Sequence, residues 1–452
     1  MYNSFSKETL FQTTQIMKQN KSIPLFSFLT IVLLAVNCFY SVAQPQSPYV
    51  QIVIQPTTSS WDYKVNEKAD LTVSVLQNNI PLQNISVSYE YGLEGMTAEK
   101  KGTLSIKGKG EKISIGTLSA PGFKRCTVKA TVENTTYSSM MTVAFSPEKI
   151  EATVKEPDDF DSFWDNAISS MRNAPSILRE TVLEDYSTVD TEVSLLNFIV
   201  PNSEVAIYGY LSKPKKDGKY PIVLYLPGAG ISPSNPNVDF ISKDVINLSI
   251  EIHGLNPQAD AKFYQEVRRK FINYMYSGVE SRDKFYYKSV LLGCIKAADY
   301  LCDLPQFDGE NFITFGGSQG GFLSIATAAL DKRVTGVVSF HPAMSDLTGY
   351  LHDRVGGWPH HFAPKFNGIY ISEAIITTLS YYDTVNFAKR ISVPGFYSFG
   401  YNDVTCPPTT CFAVTNSIDA PKTFFLTPIT GHWRIPEMMT KSTAWVKEQV
   451  EP

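Results

Sequence analysis

Between residues 50 and 148 the chain alternates apolar and polar positions in short runs, the two-residue period of half-buried strands. Such runs cover 50–54, 69–75, 85–91 and 112–115, with turn-rich stretches at 77–79 and 107–110. After Pro147 the texture changes, and strand-like runs alternate with helical periodicities, which predicts a parallel sheet wrapped by helices. Segments 191–200 and 205–212 read as an antiparallel opening pair, and 221–226 and 245–252 as buried strands. A long amphipathic helix is predicted over 283–302, a strand over 312–315 and a helix over 319–330. Strands at 334–340, 394–400 and 423–427 follow, and a last helix runs over 436–450.

Two units are therefore expected: a small all-β sandwich of immunoglobulin type over 45–148, and an α/β domain over 149–452. A length of 452 residues agrees with two. Nothing in the β module resembles a catalytic cluster. It reads as a packing or spacer unit, or alternatively as a carbohydrate-binding one using Trp61 or the tyrosines near Tyr89.

Ahead of both, Lys18 and Lys21 precede an apolar run over 23–36, and Ser41 and Ala43 follow. That is the order of a secretory signal, with cleavage after Ala43 and a true start at Met17. The run is too short to span a bilayer as a permanent anchor. A rival reading lipidates Cys38, but Asn37 before it is a poor match. The chain is expected to be exported, to the periplasm or beyond the cell. The remaining cysteines are Cys126, Cys294, Cys302, Cys406 and Cys411. An odd set makes no disulfide framework. Cys294 and Cys302 read as core thiols, Cys406 and Cys411 as unpaired or mutually paired, and no Cys/His cluster has zinc spacing. No metal or cofactor is expected.

With 43% hydrophobic and 19% charged residues a core can form, and 40 basic against 44 acidic side chains leave a net charge of −4. No field strong enough to hold nucleic acid results.

The chemistry concentrates in Gly316-Gly317-Ser318-Gln319-Gly320-Gly321, between a predicted strand and a predicted helix. A serine between glycines in that place is a nucleophile elbow, and with the order of elements it makes the fold an α/β-hydrolase. Gly316 and Gly320 leave room for close backbone, and the Gln319 N–H sits at the helix start, aimed at an oxyanion. A serine needs a base, and the fold's order is serine, acid, histidine. Of six histidines, His432 lies in a loop past the final strand, where the base belongs. His341 ends the strand at 334–340 and is expected to line the pocket or to be structural. His360 and His361 read as surface or lid residues, and His253 as shaping a loop near the site or lining the pocket. Asp403 follows the strand at 394–400 and is the expected acid, with Asp346, Asp353 and Asp383 as rivals in cap-like segments. The Ala229 N–H, in Leu226-Pro227-Gly228-Ala229-Gly230, is the expected second oxyanion donor. Losing one such donor costs on the order of 3 kcal/mol.

These residues together resemble the acetylxylan esterase/cephalosporin-C deacetylase family, carbohydrate esterase family seven, over about residues 150–452. Pro157-Asp-Asp-Phe-Asp-Ser-Phe-Trp164 is similar to its opening helix, the glycine-flanked serine to its elbow, and Asp403-Val-Thr-Cys-Pro-Pro408 to its acid loop. The stretch Tyr286-Tyr-Lys-Ser is similar as well. The resemblance implies a deacetylase acting on decorated sugars or small acylated alcohols, and homo-oligomers that an added N-terminal module would obstruct. The family usually has Arg-Gly-Gln where this chain has His253-Gly254-Leu255, an aromatic residue where Ala229 stands, and Glu where Trp433 stands. Trp433 is thus expected to line the pocket, and Ala229 to leave room beside the acyl group. The leading reading is a serine esterase removing acetyl groups from carbohydrate. Its rivals are an esterase for bulkier groups such as feruloyl and a glycan-binding protein with a relic hydrolase domain. A peptidase of the related clan is disfavoured by the absence of a propeller.

Overall fold

Strands buried on both faces carry apolar residues in unbroken runs rather than in alternation. Tyr220–Leu226 and, but for Ser339, Gly336–Phe340 read this way, whereas Ile246–Glu251 alternates apolar and polar residues although nearly all of it is buried; in the computed structural model all three lie inside a nine-stranded sheet. The structure describes residues 48–58, 61–108, 110–200 and 205–450. The proposed leader, with Lys18, Lys21, Cys38 and Ala43, lies outside the described residues. Among those described, no helix is long and apolar enough to cross a membrane.

Two compact units are distinguished. The described residues of the first are 48–51 and 77–80, tied by the Asn78 N–H donating to the Tyr49 carbonyl at 2.9 Å. The second comprises 52–76 and 81–452 and holds everything below.

The large sheet begins with Ile177–Val182, Thr191–Ile199 and Ala206–Pro214, all antiparallel, and Ala206–Pro214 then pairs antiparallel with Ile246–Glu251. From there it is parallel, in the spatial order Ile246–Glu251, Tyr220–Leu226, Phe307–Gly317, Gly336–Phe340, Gly395–Ser398 and Lys422–Phe424. Helices Tyr286–Asp303 and Gln319–Leu330 pack most of their buried apolar residues into one core, while Leu292 and Ile295 join a smaller cluster with Ile168 and Met171. Pro436–Val450 closes the other face, with Met438, Trp445 and Val446 against Phe315, Phe340 and Phe396. The sequence reading matches the bounds of Gln319–Leu330 and Pro436–Val450, and it misses Ile177–Val182. That strand is exposed at every position, so no buried alternation marks it.

In the N-terminal β region Asp62–Tyr63, Gln83–Leu93, Lys100–Lys107, Gly122–Val132 and Thr135–Phe145 form a five-stranded sheet. Ala69–Gln77 pairs with Glu111–Gly116. Phe123 and Ala144 of this region belong to the same buried cluster as Phe160, Tyr401 and Phe412. Trp61 packs partly buried against that cluster, and Tyr89 and Tyr91 stack with ring centroids 6.4 Å apart. The region is joined to the α/β core by packing, more intimately than a spacer requires.

Candidate active site

Parallel strands deliver their following loops to one edge of the sheet, which is where open α/β sheets place their sites. Pro227–Gly230, His253, Ser318, His341, Asp403 and His432 all follow strands of the large sheet. Ser318 takes φ 58° and ψ −122°, a strained conformation for a residue with a side chain. A cost of about 1–3 kcal/mol is usual there, and it persists only where surroundings impose it. Here its N–H donates to the Phe340 carbonyl at 2.9 Å and its carbonyl accepts from the Ala343 N–H at 3.0 Å. The flanking glycines are obligatory: a Cβ on Gly316 would run into the Gly320 backbone, and one on Gly320 into the Leu226 carbonyl.

The Ser318 Oγ lies 3.0 Å from His432 Nε2, and His432 Nδ1 lies 2.8 Å from Asp403 Oδ2. The other carboxylate oxygen, Oδ1, accepts from the Thr405 and Cys406 N–H groups at 2.8 Å each. Asp403 is fully buried. The carboxylate thus fixes the proton on Nδ1 and leaves Nε2 free to accept from the serine. The three groups the sequence nominated are brought into one hydrogen-bonded row, and the rivals Asp346 and Asp383 are engaged elsewhere. Asp383 accepts from the Asp346, Leu347 and Val385 N–H groups, and burial pushes its carboxyl up to about 7.

The loop after Tyr220–Leu226 is braced through Gln319. Its Oε1 accepts from Tyr274 and Tyr287 hydroxyls at 2.8 and 2.7 Å, and its Nε2 donates to the Gly228 carbonyl at 3.2 Å. His253 holds the same loop from the far side, Nε2 meeting the Gly230 carbonyl at 3.0 Å and Nδ1 the Tyr286 hydroxyl at 2.6 Å. Burial pulls His253 down to about 4, so it serves as a neutral bracket. Beneath it the buried Glu251 carboxylate accepts from the His253 and Leu255 N–H groups, and burial pushes it up to about 7. Ala229 stands exposed at the loop tip.

The His341 ring lies 4.4 Å from that of His432. It is buried, and burial, with the charges of His432 and Arg434, holds it well below the ordinary imidazole range. Trp433, next in the chain to His432, is 56% exposed. His361 corrects the expectation of a surface residue: it is buried, and burial brings it to about 3, while His360 is half-buried. His360 Nδ1 meets the Tyr350 hydroxyl at 3.0 Å. Aromatic packing by Tyr276, Phe285 and Tyr370 around His361 accounts for the difference. Cys406 and Cys411 are free thiols, both buried. Cys406 meets the Ser318 hydroxyl, and burial with the neighbouring Asp403 charge raises its pKa.

Among the described residues, one His/Cys/Asp/Glu group is close enough to share a metal ion: His341, Asp403 and His432, within 4.8 Å of one another. Two of the three are already committed to the hydrogen-bonded row.

One group that no local signal in the chain marks also touches the site. Arg125, from the N-terminal β region, donates through Nη2 to the Asp403 carbonyl at 3.1 Å.

Comparison with known proteins decides the family, because the model described as "Acetyl xylan esterase (AXE1)" matches residues 146–449. The chain belongs to the acetyl xylan esterase family. An acetyl esterase, Axe7A, of Xylanibacter ruminicola is 40% identical over 402 residues, covering 88% of this chain and 90% of that protein. A solved acetyl xylan esterase from a Paenibacillus species is 25% identical with a TM-score of 0.57, and covers 67% of this chain and 98% of its own. Acetyl xylan esterase 1 from a Thermoanaerobacterium species, at 23% identity and TM-score 0.59, covers 67% and 97% and shows the same fold. As a member of this acetyl xylan esterase family the chain is a carboxylic ester hydrolase of the α/β-hydrolase fold.

Proposed function

We propose that the protein removes acetyl groups from acetylated carbohydrate, xylan foremost, through an acyl-enzyme on Ser318. The observation that supports this most directly is the row from Ser318 through His432 to the buried Asp403. The Ser318 oxygen attacks the ester carbonyl, and its proton passes to His432 Nε2. The C–O bond to the sugar breaks, and the sugar oxygen leaves with that proton. Water then attacks the acetyl-enzyme, giving its proton to His432, and acetate departs as Ser318 regains a proton. Asp403 stabilises the imidazolium without being protonated itself. The N–H groups of Gln319 and Ala229 are the oxyanion donors in this reading, and Trp433 offers an exposed ring face for a sugar.

The test is turnover of p-nitrophenyl acetate and of acetylated xylan by wild type and Ser318→Ala. Wild type should release acetate from both, and the variant, with an unchanged melting curve, should release none above background. Turnover by the folded variant removes the assignment, and a wild type inert on both substrates removes the activity.

A further inference from the structure

The acid loop is held from outside the α/β unit. Arg125, in Gly122–Val132, donates through Nη2 to two main-chain carbonyls of the loop, Asp403 at 3.1 Å and Tyr401 at 3.4 Å. Its own orientation is set by Nε donating to Thr142 Oγ1 at 2.8 Å and by Glu94 Oε2 at 3.5 Å from Nη2. Glu94 follows the neighbouring strand Gln83–Leu93, and its Oε1 accepts from the Thr409 N–H at 2.9 Å, on helix Pro408–Asn416. The pair thus grips the loop at both ends, before Asp403 and after Pro408. The Tyr401 hydroxyl donates to Asp62 at 2.9 Å, and the Tyr401 ring meets Phe123 at 5.0 Å.

The Arg125 and Glu94 side chains keep only 11% and 2% of their surface exposed. Burying an ion pair seldom adds stability over an apolar pair of the same volume, so its merit is the geometry it imposes. The geometry imposed here is that of one residue, Asp403. Its carbonyl is tied to Arg125 while its carboxylate is tied to His432.

We infer that Arg125 and Glu94 are positioning residues for the catalytic acid, which makes the N-terminal β region part of the catalytic unit. This rests on the triad reading above. Freed of Arg125, the loop still folds back on Thr405 and Cys406, but Asp403 is no longer registered against His432. A misplacement of about 1 Å costs on the order of 100-fold in rate.

The experiment uses the full chain, with kcat expressed per site after titration with a fluorophosphonate and p-nitrophenyl acetate as substrate. Arg125→Gln should lower kcat about 10–100-fold with KM unchanged within about twofold. Arg125→Lys, which still donates to the carbonyls, should recover part of the loss. Glu94→Gln keeps the volume and the acceptor for Thr409 and removes the charge; a several-fold fall in kcat at constant KM is expected. It decides the matter if Arg125→Gln does not fold. Wild-type kcat per site in either folded variant overturns the inference. So does a loss that appears only as fewer titratable sites, since that is destabilisation without mispositioning. A wild type with no esterase activity refutes the triad reading instead, and the two failures are thereby separate.

Discussion

Asp403→Asn changes neither volume nor shape, and the surroundings of the carboxylate dictate which way the new amide turns. Oδ1 accepts two backbone N–H groups at 2.8 Å, while Oδ2 faces His432 Nδ1, also at 2.8 Å. An NH2 group in the Oδ1 place would confront two donors and leave them unsatisfied in a buried site, at about 1–3 kcal/mol each. The amide oxygen therefore keeps that place, and the NH2 turns to His432. Nδ1 must then accept, the imidazole proton moves to Nε2, and Nε2 has no lone pair for the Ser318 hydroxyl 3.0 Å away. A wrong tautomer of this kind costs about 10,000-fold in kcat, or about 5 kcal/mol of barrier. The assay is kcat/KM on p-nitrophenyl acetate beside a thermal melt. A variant that melts like wild type and keeps activity within about tenfold would refute the reasoning and move the acid elsewhere.

Gly320→Ala should cost on the order of 3 kcal/mol and several degrees of Tm, because the new Cβ meets the Leu226 carbonyl and both partners are backbone; a soluble variant with the wild-type melt contradicts the contact. Stability should also fall as pH rises from 6 to 8. Glu94, Glu251 and Asp383 are pushed up to about 7 by burial, so the native state holds protons that the unfolded chain has already released. Each group then contributes a loss of about 1 kcal/mol over that window. As pH falls through about 6.5 the imidazoles of His253, His341, His360 and His361, all depressed by burial, act with the opposite sign, since unfolding lets them take up protons. The urea midpoint should peak near pH 6–6.5, and Glu251→Gln should flatten the alkaline side alone; a midpoint that rises from pH 6 to 8 would contradict this.

The candidate triad was legible in the sequence because each member sits beside a local signal. Gly316 and Gly320 announce the turn at Ser318, and apolar runs at 394–400 and 423–427 announce the edges from which Asp403 and His432 project. The run at 423–427 shows the limit of that signal. Regular pairing stops at Phe424, yet the Phe425 and Thr427 N–H groups still donate to Tyr397 and Phe399 at 3.0 and 3.1 Å, so apolar character outlasted the strand. Ile177–Val182 escaped notice for the converse reason, a strand with no buried face. His361 looked like a surface residue because a polar ring in a proline-bounded loop carries no mark of the aromatic packing that buries it. Arg125 was beyond reach altogether. Its position in Gly122–Val132 says only that it lies on a strand, and nothing nearby in the chain reveals which carbonyls it will meet.

Arg125 and Asp403 stand 278 positions apart. No cassette limited to the α/β part of this gene carries the complete surroundings of Asp403. A crossover between two relatives near Ser146 would inherit Ser318, His432 and Asp403 from one parent and the residues that hold the Asp403 loop from the other. Chimaeras of that kind would be compatible only where both parents agree on the arginine, the glutamate and the curvature of the loop between them. The added β region is thus bound to its hydrolase as a lineage, and the two must change together.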